Sequence, residues 1–252
     1  QSRACGAAYR GGGEAMTFTM DKESTCSLCH CHIKENTLFT GLSVAQLDAF
    51  KEAVVINHHK KREVVFMEGD DCTGLYILRT GRVKVVRSSS TGKEQIINIM
   101  NPGDLLGFEV FYNARTYKHT AVVMEDCDLC YIDRHAFFKI LEKEPAIARK
   151  LIISLGKELN SAYERIGHLG LLNAKEKLAQ LLYTLADQYG VKEDGGVRLN
   201  LTLSRLEIAE LLGITQETSI RLLKSFKEEG LLDIRRKEII IKSLSRLKEL
   251  SQ

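Results

Sequence analysis

The sequence predicts an α+β fold in which a β-sheet domain, one long helix and a winged helix-turn-helix follow one another along the chain. Three observations carry that expectation. Between about 36 and 134, short apolar runs alternate with turn residues every ten or so positions, the pattern of an all-β sandwich or barrel. After Asp133 the regime changes: from Pro145 to about Asn173 no proline interrupts a run of apolar residues three and four apart. Beyond Ser204, a capped helix, a glycine turn and a second capped helix precede two short apolar runs around a basic tip. The expected boundaries are 1–35 for a flexible cysteine-containing lead, 36–142 for the β domain, 143–173 for the long helix and 174–252 for the winged helix-turn-helix.

Composition sets the outer limits. The 252 residues suit one large domain or two small ones, and 44% hydrophobic with 27% charged is globular rather than disordered. No apolar run approaches the roughly 18 residues of a membrane span. Residues 1–24 carry Gly11-Gly12-Gly13 and scattered polar residues in place of a signal-peptide apolar block, so a cytoplasmic location is expected. Met16 and Met20 are alternative starts. With 36 Lys plus Arg against 33 Asp plus Glu, the net charge of +3 does not announce nucleic-acid binding. Any DNA surface must be local.

The strands are read from Glu63–Met67, Leu75–Leu78, Val83–Val86, Gln95–Ile99 and Leu129–Ile132. Turns are read at Glu68-Gly69-Asp70, Thr80-Gly81, Thr91-Gly92 and Asn101-Pro102-Gly103-Asp104. Leu42–Val54 precedes them with helical spacing. Pro145 suits a first helical turn, where its missing N–H costs nothing. Leu151, Leu155, Leu159, Ala162, Ile166 and Leu169 then form a narrow coiled-coil-like seam flanked by Lys157, Glu158, Glu164 and Arg165. This predicts a constitutive homodimer, because no charge sits in the seam. Ala174–Tyr189 is an amphipathic helix, and Leu199–Leu203 follows a Gly195-Gly196 turn as a short strand.

Ser204-Arg-Leu-Glu207 has the form of a capping box. Gly213 sits where a helix ends in the left-handed conformation, and Thr215 is an N-cap for a second helix. Leu222, Leu223 and Phe226 are its apolar face. Gln216, Glu217, Ser219, Ile220, Arg221 and Lys224 are its DNA-facing candidates, since a helix with polar residues toward its N-terminus fits the major groove. Arg221 suits guanine O6 and N7, Glu217 suits cytosine N4 and Ile220 a thymine methyl. The wing follows, with Arg235, Arg236 and Lys237 at its tip for phosphate contact. From Thr215 to Lys242 seven basic residues oppose five acidic ones. The rival class is a ligand-binding module whose C-terminal domain contacts protein. No nucleophile–base pair, phosphate loop or paired carboxylates point to an enzyme.

Gly81, Asn101-Pro-Gly-Asp-Leu-Leu-Gly107, the long helix and Leu203–Arg221 with its wing resemble the Crp/Fnr family of bacterial transcription regulators over about 36–242. The resemblance implies a cyclic-nucleotide-binding-like β-roll (jelly roll), a dimerisation helix, a palindromic double-stranded DNA site and contact with RNA polymerase. Glu217 and Arg221 match the family's base-reading pair, whereas Ile220 replaces a small residue. The family's nucleotide pocket uses Gly-Glu-Leu and Arg-Ser. Here Phe108 follows Gly107, Glu109 comes one residue late and Lys118-His119 replaces Arg-Ser, so cyclic AMP is not the expected ligand. Gly107-Phe108 matches the Fnr branch.

The cysteines are at 5, 26, 29, 31, 72, 127 and 130. Fnr-branch sensors hold a [4Fe–4S] cluster on an N-terminal cysteine group and one distant cysteine. The resemblance therefore implies Cys26, Cys29, Cys31 and Cys130 as ligands, with Cys31 serving because Glu35 stands where the family has its third. Other readings stay open. Zinc suits the three clustered thiols with His30 and His32. Haem suits Cys26-Ser-Leu-Cys-His30, or His119 or His168. Cys127 and Cys130 form a redox pair in a further reading, and thiols without a cofactor in the last.

Overall fold

The computed structural model describes residues 50, 53–112, 114–235 and 238–251. The lead with Cys5, Cys26, Cys29 and Cys31, the helix read over 42–54 as far as 49, and Arg236 and Lys237 lie outside them.

The first half is an antiparallel roll built from β1 (Val54–His59), β2 (Val64–Phe66), β3 (Gly74–Ser88), β4 (Glu94–Met100), β5 (Leu105–Leu106) and β6 (Thr120–Asp133). The strand order is β1-β6-β3-β4, with β2 on β6 and β5 on β3. The helical reading therefore stops short of Val54, which opens β1; Phe50 is helical and fully buried. Leu75, Ile77, Leu78, Leu129 and Ile132 fill the roll, each at most 1% exposed.

The two runs read on either side of Thr80-Gly81 are one continuous strand, β3. Gly81 is a bulge rather than a turn. Its φ is +77°, the pairing with β6 shifts register around it, and a Cβ there would strike the Asp126 carbonyl and lie 2.6 Å from Cys127 Cβ. A bulge bends a strand without ending it, so the pairing with β6 continues on both sides of Gly81.

A short helix not anticipated from the sequence follows: α1 (Arg134–Lys143) is capped by the Asp133 carboxylate, which accepts from the His135 and Ala136 amides. Pro145 occupies the first turn of α2 (Pro145–Leu171), as expected. α3 (Ala174–Tyr189) begins on a complete Asn173–Glu176 capping box. The hairpin β7 (Gly190–Glu193) and β8 (Gly196–Leu199) replaces the strand read over Leu199–Leu203. Strand pairing stops at Leu199, and the Asn200 amide bonds the Tyr189 carbonyl. Then come α4 (Arg205–Leu212), α5 (Gln216–Glu228), β9 (Leu232–Arg235), β10 (Glu238–Ile241) and a closing α6 (Leu244–Leu250). The second sheet runs β7-β8-β10-β9.

The seam of α2 is corrected at its N-terminal end. Leu151 is 5% exposed in the roll's own core and Leu155 packs against that core. Ala162 is half-buried, while Leu159, Ile166 and Leu169 are exposed. The exposed apolar stripe is Ile152, Leu159, Tyr163 and Ile166, with Gly156 between the first two. Its spacing of 4, 3, 4 and 3 is again that of a two-helix seam, rotated by one residue at its start.

Candidate nucleic-acid interface

The helix-turn-helix forms for the reasons its residues suggest. The Glu207 amide donates to Ser204 Oγ at 3.1 Å, and the Ser204 amide donates to Glu207 Oε2 at 2.8 Å. Gly213 ends α4 at φ +67°, ψ +32°, a conformation glycine adopts without penalty. Thr215 Oγ1 then accepts from the Thr218 amide at 3.3 Å and opens α5. Leu223 and Phe226 are buried on the inner side of α5, at 1% and 0% exposure.

The opposite face is open. Gln216, Glu217, Ile220, Arg221 and Lys224 are all exposed, at the helical spacing that brings them onto one side. Ser219 is the correction among the candidates: it is fully buried and its hydroxyl has no partner among the described residues, so it points into the domain. The hydrogen bonds of the helix N-terminus and Thr215 hold the Glu217 carboxyl below the usual range, so it presents an acceptor. Arg221 makes no ion pair among the described residues, and Lys224 only a loose one with Glu228 at 3.8 Å. On the wing Arg235 lies 3.4 Å from Asp233, itself engaged by Lys227 at 3.2 Å.

The β-roll's candidate groups are elsewhere. Glu109 lies in a 3-10 helix (Phe108–Tyr112). Its carboxylate is 4% exposed as a residue and accepts from the Lys118 amide at 2.9 Å and His119 Nδ1 at 3.0 Å. Burial pushes its pKa up, but those hydrogen bonds outweigh burial and bring it below the usual value. The carboxylate is already spoken for from within the roll.

Cys130 is fully buried in the middle of β6, with Ile56 and Ile77 as its register partners on either side. Cys127 lies three residues away in the same unbroken pairing with β1, and both thiols are free and buried in the roll's core. Burial, helped by Asp128, Asp126 and Glu63, pushes the Cys127 thiol up to about 12. Burial also raises Cys72. No group of three His, Cys, Asp or Glu among the described residues is placed to hold a metal. His168 sits in the last turn of α2 and His119 is committed to Glu109.

Residues 56–144 match the cyclic nucleotide-binding domain family and residues 176–250 the Crp-like helix-turn-helix domain family. The anaerobic regulatory protein of Aggregatibacter actinomycetemcomitans is 34% identical over 225 residues, covering 88% of this chain and 86% of that one. Electron transport regulator A of Shewanella oneidensis is 31% identical over 237 residues, covering 90% and 93%. The solved structure of FixK2 from Bradyrhizobium japonicum superposes with a TM-score of 0.70 at 26% identity, over 79% of this chain and 98% of that one. With its roll, its long helix and its helix-turn-helix, the chain belongs to the Crp/Fnr family of DNA-binding transcription regulators, on the Fnr side of that family.

Proposed function

We propose that the protein works as a homodimer that reads a palindromic DNA site and answers to oxygen or redox state through its β-roll. The observation that carries the DNA reading is the open face of α5, where Glu217, Ile220 and Arg221 stand clear of the domain while Ser219 is turned inward. Two copies of α5 would enter successive major grooves about 34 Å apart. Arg221 would take guanine, Glu217 cytosine and Ile220 a thymine methyl, with Arg235, Arg236 and Lys237 on phosphate. The stripe Ile152, Leu159, Tyr163 and Ile166 supports the dimer, its partner being a second copy of the same helix. RNA polymerase is the further partner the family membership suggests.

For the signal, the relatives named for anaerobic and electron-transport regulation favour a thiolate-held [4Fe–4S] cluster on Cys26, Cys29, Cys31 and Cys130. The donor set fits in kind: four thiols, the usual ligands of such a cluster. When bound, the cluster would supply an oxygen-labile redox centre. Cys130 would anchor it from β6.

Footprinting on a duplex selected by the wild-type protein tests the DNA reading. Arg221→Ala is expected to weaken that site by about 1–3 kcal/mol, with thermal stability retained. An unchanged footprint and affinity would remove Arg221 from base readout. Iron analysis and an absorption spectrum on protein purified without oxygen test the cluster. Iron at four per chain with a broad visible band supports it, and iron-free protein overturns it.

A further inference from the structure

The roll and the DNA-reading domain share a contact that is partly electrostatic. Alternate residues of β3 divide the strand between two environments. Val83 and Val85 belong to the roll's interior. Arg82, Lys84 and Val86 face outward, toward the reader. Arg82 lies over the Tyr189 ring of α3 at 5.2 Å and pairs with Glu125 at 2.6 Å. Val86, with Ile96, Ile99 and Met124, joins the apolar cluster of α3 and α4. Lys84 Nζ lies 3.5 Å from Glu210 Oε2 and 3.7 Å from Glu207 Oε1, both on α4. The side chains are 14%, 9% and 23% exposed, so the group is largely out of water. Beside it, Gln95 Nε2 reaches the Leu211 carbonyl at 3.5 Å.

The same edge of the roll also grips the long helix. β4 is the last strand of its sheet, so one row of its backbone groups has no strand partner. Arg165 of α2 donates to the Ile97 carbonyl at 2.7 Å, and Asn98 donates to Glu158 at 3.2 Å. One strand therefore bonds the α2 helix through Ile97 and Asn98, and the α4 helix through Gln95, with Lys84 on its neighbour.

We propose that Lys84, set between Glu210 and Glu207, is the positioning residue of a charge latch that fixes the helix-turn-helix on the β3–β4 edge and makes that edge the mechanical link between α2 and the recognition helix. The charge balance is what makes the contact sensitive to the loss of one partner. Three carboxylates converge here, Glu207, Glu210 and Glu94, the last near enough to act on Glu210. Lys84 is the cation that faces Glu207 and Glu210. Removing one partner of a buried ion pair costs far more than removing both, because the survivor stays buried without compensation. The proposal rests on reading the C-terminal domain as the DNA reader, but its test uses no DNA, so the two can fail separately.

Hydrogen exchange on the full-length protein is that test. Lys84→Met is expected to speed exchange at least tenfold in both Glu94–Met100 and Glu207–Leu212, with Val54–His59 unchanged. Lys84→Met with Glu210→Gln is expected to return both segments to within threefold of wild type, since no uncompensated carboxylate then remains at 210. Unchanged exchange in the single variant overturns the latch. So does a double variant as fast as the single, because the loss would then be one of lysine packing and not of charge. Should Lys84→Met also loosen Val54–His59, Glu210→Lys decides from the other side of the contact. Two opposed lysines should free Glu207–Leu212 by the same factor, and no change there overturns the proposal.

Discussion

On α5 neighbouring side chains face opposite ways within one turn. Ile220 is 47% exposed while Ser219, one residue earlier, is fully buried, its hydroxyl without a partner among the described residues. A polar atom left so costs free energy, whereas alanine fills nearly the same space and is the better helix former. Ser219→Ala is therefore expected to leave urea stability unchanged or raise it by up to about 1 kcal/mol. A loss of stability of that size would show that the hydroxyl has a partner. Residue type alone placed Ser219 with the DNA-facing group, as a polar residue near the helix N-terminus. Helical spacing turns it inward, since it stands four residues before Leu223 and seven before Phe226 on the buried face. For Glu217 and Arg221 the helical spacing was sufficient, since both fall on the side away from that apolar face. Glu109 is a further case. Its place one residue late in the motif was visible in sequence, but not that a 3-10 turn would hand its carboxylate to His119 and the Lys118 amide.

Two elements differ most from their reading in sequence. β3 runs through Gly81, where glycine looked like a turn signal. In isolation a glycine permits turn and bulge equally, and the choice falls to the partner strand, here β6 with Asp126 and Cys127 pressed against the site. Gly81→Ala should cost about 3 kcal/mol or more, combining left-handed backbone strain with a backbone clash. Chemical denaturation measures it, and a loss below about 1 kcal/mol would show that the bulge relaxes. In α2, Leu151 and Leu159 look equivalent by spacing, yet one lies in the roll's core and the other faces outward. The two should part on mutation. Leu159→Glu is expected to shift sedimentation from dimer to monomer with the monomer still folded. Leu151→Ala is expected to cost about 2–5 kcal/mol of stability while the folded protein still dimerises. A dimeric Leu159→Glu protein would move the seam elsewhere.

Across the molecule, the outer face of the β3–β6 sheet and the helices of the reader form one apolar cluster. Val86, Ile96, Ile99 and Met124 lie with Leu178, Leu182, Ile208 and Leu212. Burial shared across two domains couples their unfolding. Calorimetry is expected to show a single transition for both domains, and Ile96→Ala, at about 2–5 kcal/mol, should lower it or split it in two. Two well-separated transitions in the wild-type protein would mean that the domains unfold independently. The small net charge finds its explanation at this scale too. Arg221 and Lys224 of α5 are exposed, while Glu207 and Glu210 are spent on Lys84, so charge balance over the whole chain conceals a local distribution.

The sequence by itself determined the class of fold and the caps and glycine that place α4 and α5. Those features are written in local periodicity and in side chains that bond the nearest backbone, which short stretches decide alone. The tertiary structure decided which way each amphipathic element turns. Arg82-Val-Lys84-Val alternates as a strand with a solvent face would. That face is covered by α3 and α4, and the lysine meets two glutamates from more than a hundred residues away. Such a partner leaves no mark within the range of a periodicity, because it is set by how two domains close on one another.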